Sequence, residues 1–184
     1  MKLTKDKAWD LLNSADEICS AAAVTDAIKR VAVEINAKLA DTQPLVLSVM
    51  GGAVVFTGQL LPQLKFPLDF DYIHVSRYDD ETRGSTINWK VAPRENVKDR
   101  VVLVVDDILD EGYTMAAIRE RILAAGAKSF HCAVLVEKAI DREKPVHADF
   151  AGIIVPNRYV FGCGMDVYGA WRNLPAIYAL RQNG

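Results

Sequence analysis

The chain has 184 residues, 51% of them hydrophobic and 25% charged, which is the composition of one globular domain and excludes a disordered or fibrous chain. At this length folding buries roughly 70% of the extended chain's surface, so a full core forms without disulfide or metal staples. Twenty-two Lys and Arg oppose 24 Asp and Glu, and the resulting formal charge of −2 argues against a dedicated nucleic-acid binder.

The start, 1–10, mixes lysines and aspartates and lacks the apolar stretch of a signal peptide. From Thr4 to Leu39 the pattern is helical. Trp9, Leu12, Ala15 and Ile18 recur every three residues, and Val24, Ile28, Val31 and Ile35 every three or four. Ser20 or Thr25 can start a second helix there. Pro44 to Met50 is a short apolar run ended by Gly51-Gly52, and it reads as a buried strand. A short helix follows over Ala53 to Leu61, then a strand over Asp69 to Ser76. Tyr78 to Asn88 is polar, charged and contains Gly84, the pattern of a long mobile loop or a hairpin tip.

Val101 to Val105 is an unbroken β-branched and apolar run, the mark of a parallel strand buried on both faces. A helix carrying Met115, Ile118, Ile122 and Leu123 on one face follows, with Gly126 as its stop. His131 to Val136 supplies the next strand and completes a βαβ unit. Short strands over Phe150 to Val155 and Arg158 to Phe161 close the chain as an appended lobe. The expected fold is α/β, a central mainly parallel sheet of about four or five strands flanked by helices, with a small C-terminal hood lobe. No run of about 18 apolar residues occurs, so no membrane span is expected. Cys19, Cys132 and Cys163 fit neither a disulfide framework nor a zinc site and point to a reducing, cytoplasmic setting.

The stretch richest in chemistry is Val101 to Met115. A buried strand delivers Asp106 and Asp107 at its C-terminal end, the edge where open α/β sheets bind ligands. Asp110, Glu111, Gly112 and Thr114 follow at the start of a helix. Helix-start amides and the helix dipole suit a phosphate, and Gly112 lets the backbone approach closely. The acidic pair suits the hydroxyls of a vicinal diol, or a divalent cation. A diol beside a phosphate describes a ribose 5-phosphate. Neither a Walker loop nor the Gly-x-Gly-x-x-Gly dinucleotide fingerprint is present. The competing reading is an acidic cluster that only solvates a turn and caps a helix.

The order Asp106, Asp107, two apolar residues, Asp110, x, Gly112, x, Thr114 resembles the phosphoribosyl-diphosphate signature of type I phosphoribosyltransferases. The flanking residues are similar to the hypoxanthine-guanine branch, from about Pro44 to Leu174. The resemblance implies a single phosphoribosyltransferase domain over 1–184, with N-terminal helices 4–39, a core about 40–145 and a hood about 146–184. It implies transfer of 5-phosphoribose from phosphoribosyl diphosphate to a purine base, with Mg²⁺ as cofactor, in a homodimer or homotetramer that engages neither nucleic acid nor membrane.

Carried over residue by residue, Asp106 and Asp107 would hold the ribose hydroxyls, and Asp110 would manage the proton at purine N7. Glu111, Gly112, Tyr113 and Thr114 would cradle the 5-phosphate. Lys138 would recognise a 6-oxo group, Tyr159 would stack on the base, and Val160 would read its edge through the backbone. Met50 and Gly51 fall where the family has its diphosphate loop, often with a cis peptide, and Arg77 and Arg172 would also meet diphosphate. Asp166 matches the carboxylate near Mg²⁺, often through water. Met50 and Tyr113 stand where the family often has a basic residue.

Individually these residues have plainer readings. Lys138 is also a solvated strand-end lysine, Tyr159 a core aromatic, and Asp166 with Arg172 a structural ion pair. Three functions remain open at this point. They are purine salvage on hypoxanthine and guanine or on xanthine, a regulator that uses the same fold to sense phosphoribosyl diphosphate or nucleotides and bind RNA or DNA, and a metal-dependent phosphatase or phospho-acceptor domain using Asp106 and Asp107.

Overall fold

The computed structural model describes residues 3–77 and 87–181. The expected mobile loop over 78–88 therefore lies outside the described residues as far as 86. Residues 87 and 88 already belong to a strand.

Nine strands and four α-helices are described: α1 (Lys5–Ser14), β1 (Asp16–Cys19), α2 (Ala21–Leu39), β2 (Leu45–Val49), α3 (Val54–Leu60), β3 (Asp69–Arg77), β4 (Ile87–Val91), β5 (Val101–Leu109), α4 (Tyr113–Ala124), β6 (Ser129–Lys138), β7 (Phe150–Val155), β8 (Val160–Phe161) and β9 (Ile177–Ala179). The main sheet has six strands in the order β4-β3-β2-β5-β6-β7. All neighbours pair in parallel except β3 with β4, an antiparallel edge. β4 is the strand that the sequence reading lacked. Its alternation of half-buried Ile87, Trp89 and Val91 with exposed Asn88 and Lys90 is that of an edge strand covered on one face.

β5 alternates its residues between two buried layers. Leu103 and Val105 join Val46 of β2 and Leu135 of β6 beneath α2 and α3. Val102 and Val104 join Leu45, Leu47 and Val134 beneath Met115, Ile118 and Ile122 of α4. The sheet is thus covered on both faces, which is why its central strands read as continuous apolar runs. Leu123 does not share the buried face of α4 and is 40% exposed. Gly126 ends that segment at φ +91°.

Two connections leave β2 and β5 in opposite senses. From β2 the chain crosses to β3 on one side, whereas β5 lies on the other side and continues to β6 and β7. The C-terminal ends of β2 and β5 therefore flank the switch point of the sheet, where open α/β folds form a crevice.

A second, three-stranded sheet has the order β1-β9-β8, paired antiparallel. The hood thus takes β1 from the N-terminal segment as well as β8 and β9 from the C-terminal one, whereas Phe150–Val155, expected in the hood, is corrected to β7 of the main sheet, where it pairs in parallel with β6. The helical reading of 4–39 is corrected at 16–19, where a four-residue strand separates α1 from α2. Four residues are too few for helical period to be told from strand alternation, and the pairing partner, β9, is remote in sequence. Arg158 ties the hood together by donating to Asp16 Oδ2 at 2.5 Å and to the Leu180 carbonyl at 2.8 Å. Among the described residues no helix is long and apolar enough to cross a membrane.

Ser20, not Thr25, begins α2, and its hydroxyl accepts from the Ala23 N–H at 3.3 Å. Ser20→Ala removes this cap without altering the buried face of α2. We expect a loss of about 1 kcal/mol, read as a fall of roughly 2–4 °C in melting temperature by calorimetry, with activity at low temperature unchanged.

Candidate active site

β5 runs on through both carboxylates to Leu109, four residues beyond the apolar run. Strand alternation places Asp106 with the layer of Val102 and Val104, toward α4, and Asp107 with the layer of Leu103 and Val105, toward the hood. Two cavities open on these two sides. One, of about 290 Å³, is lined by Asp106, Asp107, Asp110, Gly112 and Thr114, together with apolar Ile108, Leu109 and Met115. The other, of about 220 Å³, is lined by Asp107, Asp110, Lys138, Tyr159, Val160, Asp166 and Arg172, with Ile108 and Met165. They share Asp107, Ile108 and Asp110.

The first cavity meets the start of α4. Gly112 is its N-cap at φ +86°, and no side chain caps the helix. A Cβ at Gly112 would lie 3.3 Å from both Pro145 Cδ and the Val146 carbonyl, so glycine suits this position for conformation and for space. Burial raises the Asp106 carboxyl well above the usual carboxylate range, and the adjacent Asp107 charge adds to the rise. Burial also raises Asp107, opposed by hydrogen bonds and by the positive charge of Arg172. The Asp107 backbone N–H donates to Asp106 Oδ1 at 2.9 Å. This strand end therefore carries more negative charge than the surrounding protein neutralises, and favours hydroxyl donors or a cation.

In the second cavity Lys138 is buried at the end of β6, and its Nζ donates to Asp110 Oδ2 at 2.7 Å. Asp166 pairs with Arg172 and accepts from the Gly169 N–H at 2.7 Å. Arg172 also donates to the Gly164 carbonyl at 2.6 Å. Tyr159 is 49% exposed, so it is not a core aromatic. It stacks on Tyr168 with ring centroids 6.2 Å apart, and its hydroxyl donates to the Asp166 carbonyl.

Met50 and Gly51 line neither cavity, but the peptide between them is cis and they lead directly into Gly52. A Cβ at Gly52 would fall 1.9 Å from Asp107 Oδ2, and one at Gly164 would fall 1.9 Å from the Gly52 carbonyl. The β2 loop, the β5 carboxylate and the hood thus close on one another through two glycines. Glu111 and Tyr113 also line neither of these cavities. Arg142 pairs with Glu111 and lies over the Tyr113 ring at 5.9 Å. Arg77 ends β3, and its side chain lies outside the described residues.

Sequence reasoning missed the space-limited roles of Gly52 and Gly164, and also Arg142. The doublet Gly51-Gly52 and the triplet Gly162-Cys163-Gly164 were the available signals. Trp171 turns away from the cavities, donating to the Ala8 carbonyl at 2.8 Å and packing edge-on against Trp9.

A family model described as phosphoribosyl transferase domain matches residues 14–167. The chain belongs to the phosphoribosyltransferase family. It is 30% identical over 160 residues to the hypoxanthine-guanine phosphoribosyltransferase of Streptococcus pneumoniae, covering 86% of this chain and 89% of that protein. It is 33% identical over 157 residues to the hypoxanthine-guanine-xanthine phosphoribosyltransferase of Tritrichomonas foetus, covering 85% and 86%. A solved structure of a hypoxanthine-guanine-xanthine phosphoribosyltransferase superposes with a TM-score of 0.83 at 30% identity, over 92% of this chain and 99% of that one. Within this family the two joined cavities are the candidate active site.

The raised Asp106 carboxyl has a signed consequence. Its folded pKa exceeds its unfolded one, so the folded state holds the extra proton. Stability from this group is full below the ordinary carboxylate value and falls as pH rises through the raised value. Asp106→Asn keeps the oxygen acceptor and removes the charge. Without ligand at pH 7 we expect a melting temperature raised on the order of 2–4 °C, a gain that vanishes near pH 4, together with severe loss of turnover. Calorimetry of both proteins across this pH range checks it.

Proposed function

We propose that the protein transfers 5-phosphoribose from phosphoribosyl diphosphate to hypoxanthine or guanine, giving IMP or GMP and diphosphate, in purine salvage. The observation that carries this reading is the pair of cavities sharing Asp107 and Asp110, one ending at a glycine-started helix and the other at a buried lysine. Their combination suits a ribose phosphate on one side and a base on the other. The same proposal takes 1–184 as one phosphoribosyltransferase domain in the cytoplasm, forming a homodimer or homotetramer.

Asp106 and Asp107 accept from the ribose hydroxyls, which supply the donors this strand end lacks. The amides of 111–114 and the α4 dipole meet the 5-phosphate. The base enters between Tyr159 and the Lys138–Asp110 pair. Tyr159 stacks on it, Lys138 donates to the 6-oxo group, Asp110 holds the proton at N7, and Val160 reads the edge through its backbone. Charge redistributes within the purine as the base nitrogen attacks the anomeric carbon, and Asp110 is the group placed to accept or return that proton.

Arg172, the backbone at Met50 and Gly51, and Arg77 meet the departing diphosphate. Among the described residues no three His, Cys, Asp or Glu side chains converge as a metal cage. The carboxylates of Asp106, Asp107 and Asp166 are nevertheless hard oxygen donors suited to Mg²⁺ shared with substrate phosphates, and Asp166 would hold it through water. When bound, Mg²⁺ neutralises the charge of the diphosphate leaving group.

The base preference follows from donor geometry. Adenine offers an amino group where Lys138 must donate, which leaves two donors opposed. Purified protein with phosphoribosyl diphosphate and Mg²⁺ should convert hypoxanthine and guanine. Adenine should be at least ~10³-fold lower in kcat/KM. Asp110→Asn should lower kcat by roughly 10²- to 10⁴-fold. A spectrophotometric assay with each base, xanthine included, measures both and ranks the 2-substituents. Absence of turnover with every base, with phosphoribosyl diphosphate still bound, overturns salvage in favour of a nucleotide-sensing regulator.

A further inference from the structure

A second lysine, Lys144, is as deeply buried as Lys138 but faces no cavity described above. Its Nζ donates to the Lys138 carbonyl at 2.6 Å, to the Leu109 carbonyl at 3.2 Å and to Glu137 Oε1 at 3.3 Å. These three acceptors match the three protons of an ammonium. A buried ammonium is tolerable only with such complete satisfaction.

The position of these acceptors is informative. The parallel ladder of β5 and β6 ends at the pair Leu109 and Glu137. One residue further, β5 leaves the sheet as Asp110, and β6 presents Lys138. Beyond this rung β5 and β6 no longer pair with each other: Lys138 stays paired with Val155 of β7, and the Ala139 N–H donates to the Val155 carbonyl at 2.7 Å, whereas Asp110 has left the sheet. The Lys144 ammonium spans that gap, gripping the carbonyl just before Asp110 and the carbonyl of Lys138 itself. The segment carrying it is anchored apart from that loop, because Val146 is buried in the layer beneath α4 and the Asp149 N–H donates to the Cys132 carbonyl of β6 at 3.0 Å.

We propose that Lys144 is a positioning residue for the base site: it sets the Lys138–Asp110 pair at the separation a 6-oxopurine requires. The inference rests on the salvage reading for its substrate but not for its geometry. Lys144 touches neither base nor phosphoribosyl diphosphate, and it acts through the two strand ends.

Two variants and two readouts test it. Lys144→Met removes the bridge. The double variant Glu137→Gln with Lys144→Met removes it without leaving the half-buried Glu137 carboxylate with only His147 beside it, and keeps the test open where the single variant fails to fold. Hydrogen exchange without substrate should quicken at least ~10-fold at 109–114 and 138–140, while 101–105 stays unchanged. The KM for hypoxanthine should rise at least ~10-fold, and that for phosphoribosyl diphosphate by less than about threefold. A role confined to stability lowers the melting temperature of the variants and leaves the KM of the folded enzyme alone. Unchanged exchange at these segments overturns the proposal, as does an equal rise in both KM values or no rise in either. If the wild type converts no base, the salvage reading falls, and the exchange result alone decides the role of Lys144.

Discussion

The site depends on one costly arrangement, two adjacent carboxylates at the end of a strand buried on both sides. Val102 to Val105 have no exposure, and Asp106 and Asp107 continue directly from them. In such surroundings a charge is sustained only by donors or cations close by. The protein supplies part of that compensation. Arg172 lowers Asp107 electrostatically, and the Asp107 N–H donates to Asp106. The remainder is left to whatever binds. A site that its own protein leaves under-neutralised selects ligands rich in hydroxyls or accompanied by a cation, and a phosphorylated sugar with Mg²⁺ is such a ligand.

The same constraint explains the packing around the strand end. Gly52 and Gly164 each leave no room for a Cβ, one against the Asp107 carboxylate and the other against the Gly52 carbonyl. Three separate chain segments converge there because the crevice lies at the switch point of the sheet. The hood is pinned at a distance from the crevice by Arg158 on Asp16 and Leu180, and by Trp171 on α1. Those contacts join the two ends of the chain. Arg172 is therefore carried by a lobe whose own register depends on N-terminal residues.

Much of this was legible from the residues. Val101 to Val105 announced a doubly buried strand, and the spacing from Asp106 to Thr114 pointed to a ribose phosphate before any fold was known. Gly112 and Gly126 both take the positive φ that their places in the pattern suggested. What stayed hidden depended on distance in sequence. β1 is defined by its pairing with β9, about 160 positions away, and no local period marks it. The close contacts of Gly52 and Gly164 arise from tertiary approach, which glycine permits but does not announce. Tyr159 was ambiguous because a stacking aromatic and a core aromatic share one local pattern, and only exposure separates them. The cis peptide at Met50–Gly51 agrees with the family habit, while nothing in the residue types requires it.

Lys138 and Lys144 show how one residue type divides between binding and support. Both are buried and both reach the ends of β5 and β6. Lys138 is satisfied by Asp110, a partner lining both cavities, so an incoming base can exchange with it. Lys144 is satisfied by the backbone carbonyls of Leu109 and Lys138, residues that line the cavities but whose carbonyls are held at the strand ends, and by Glu137, which lines neither of those cavities. An ammonium whose acceptors a ligand can replace serves recognition. One whose acceptors belong to the sheet can only hold geometry. That difference in partners separates the two lysines, although their exposure is nearly equal and both lie within one short stretch of chain.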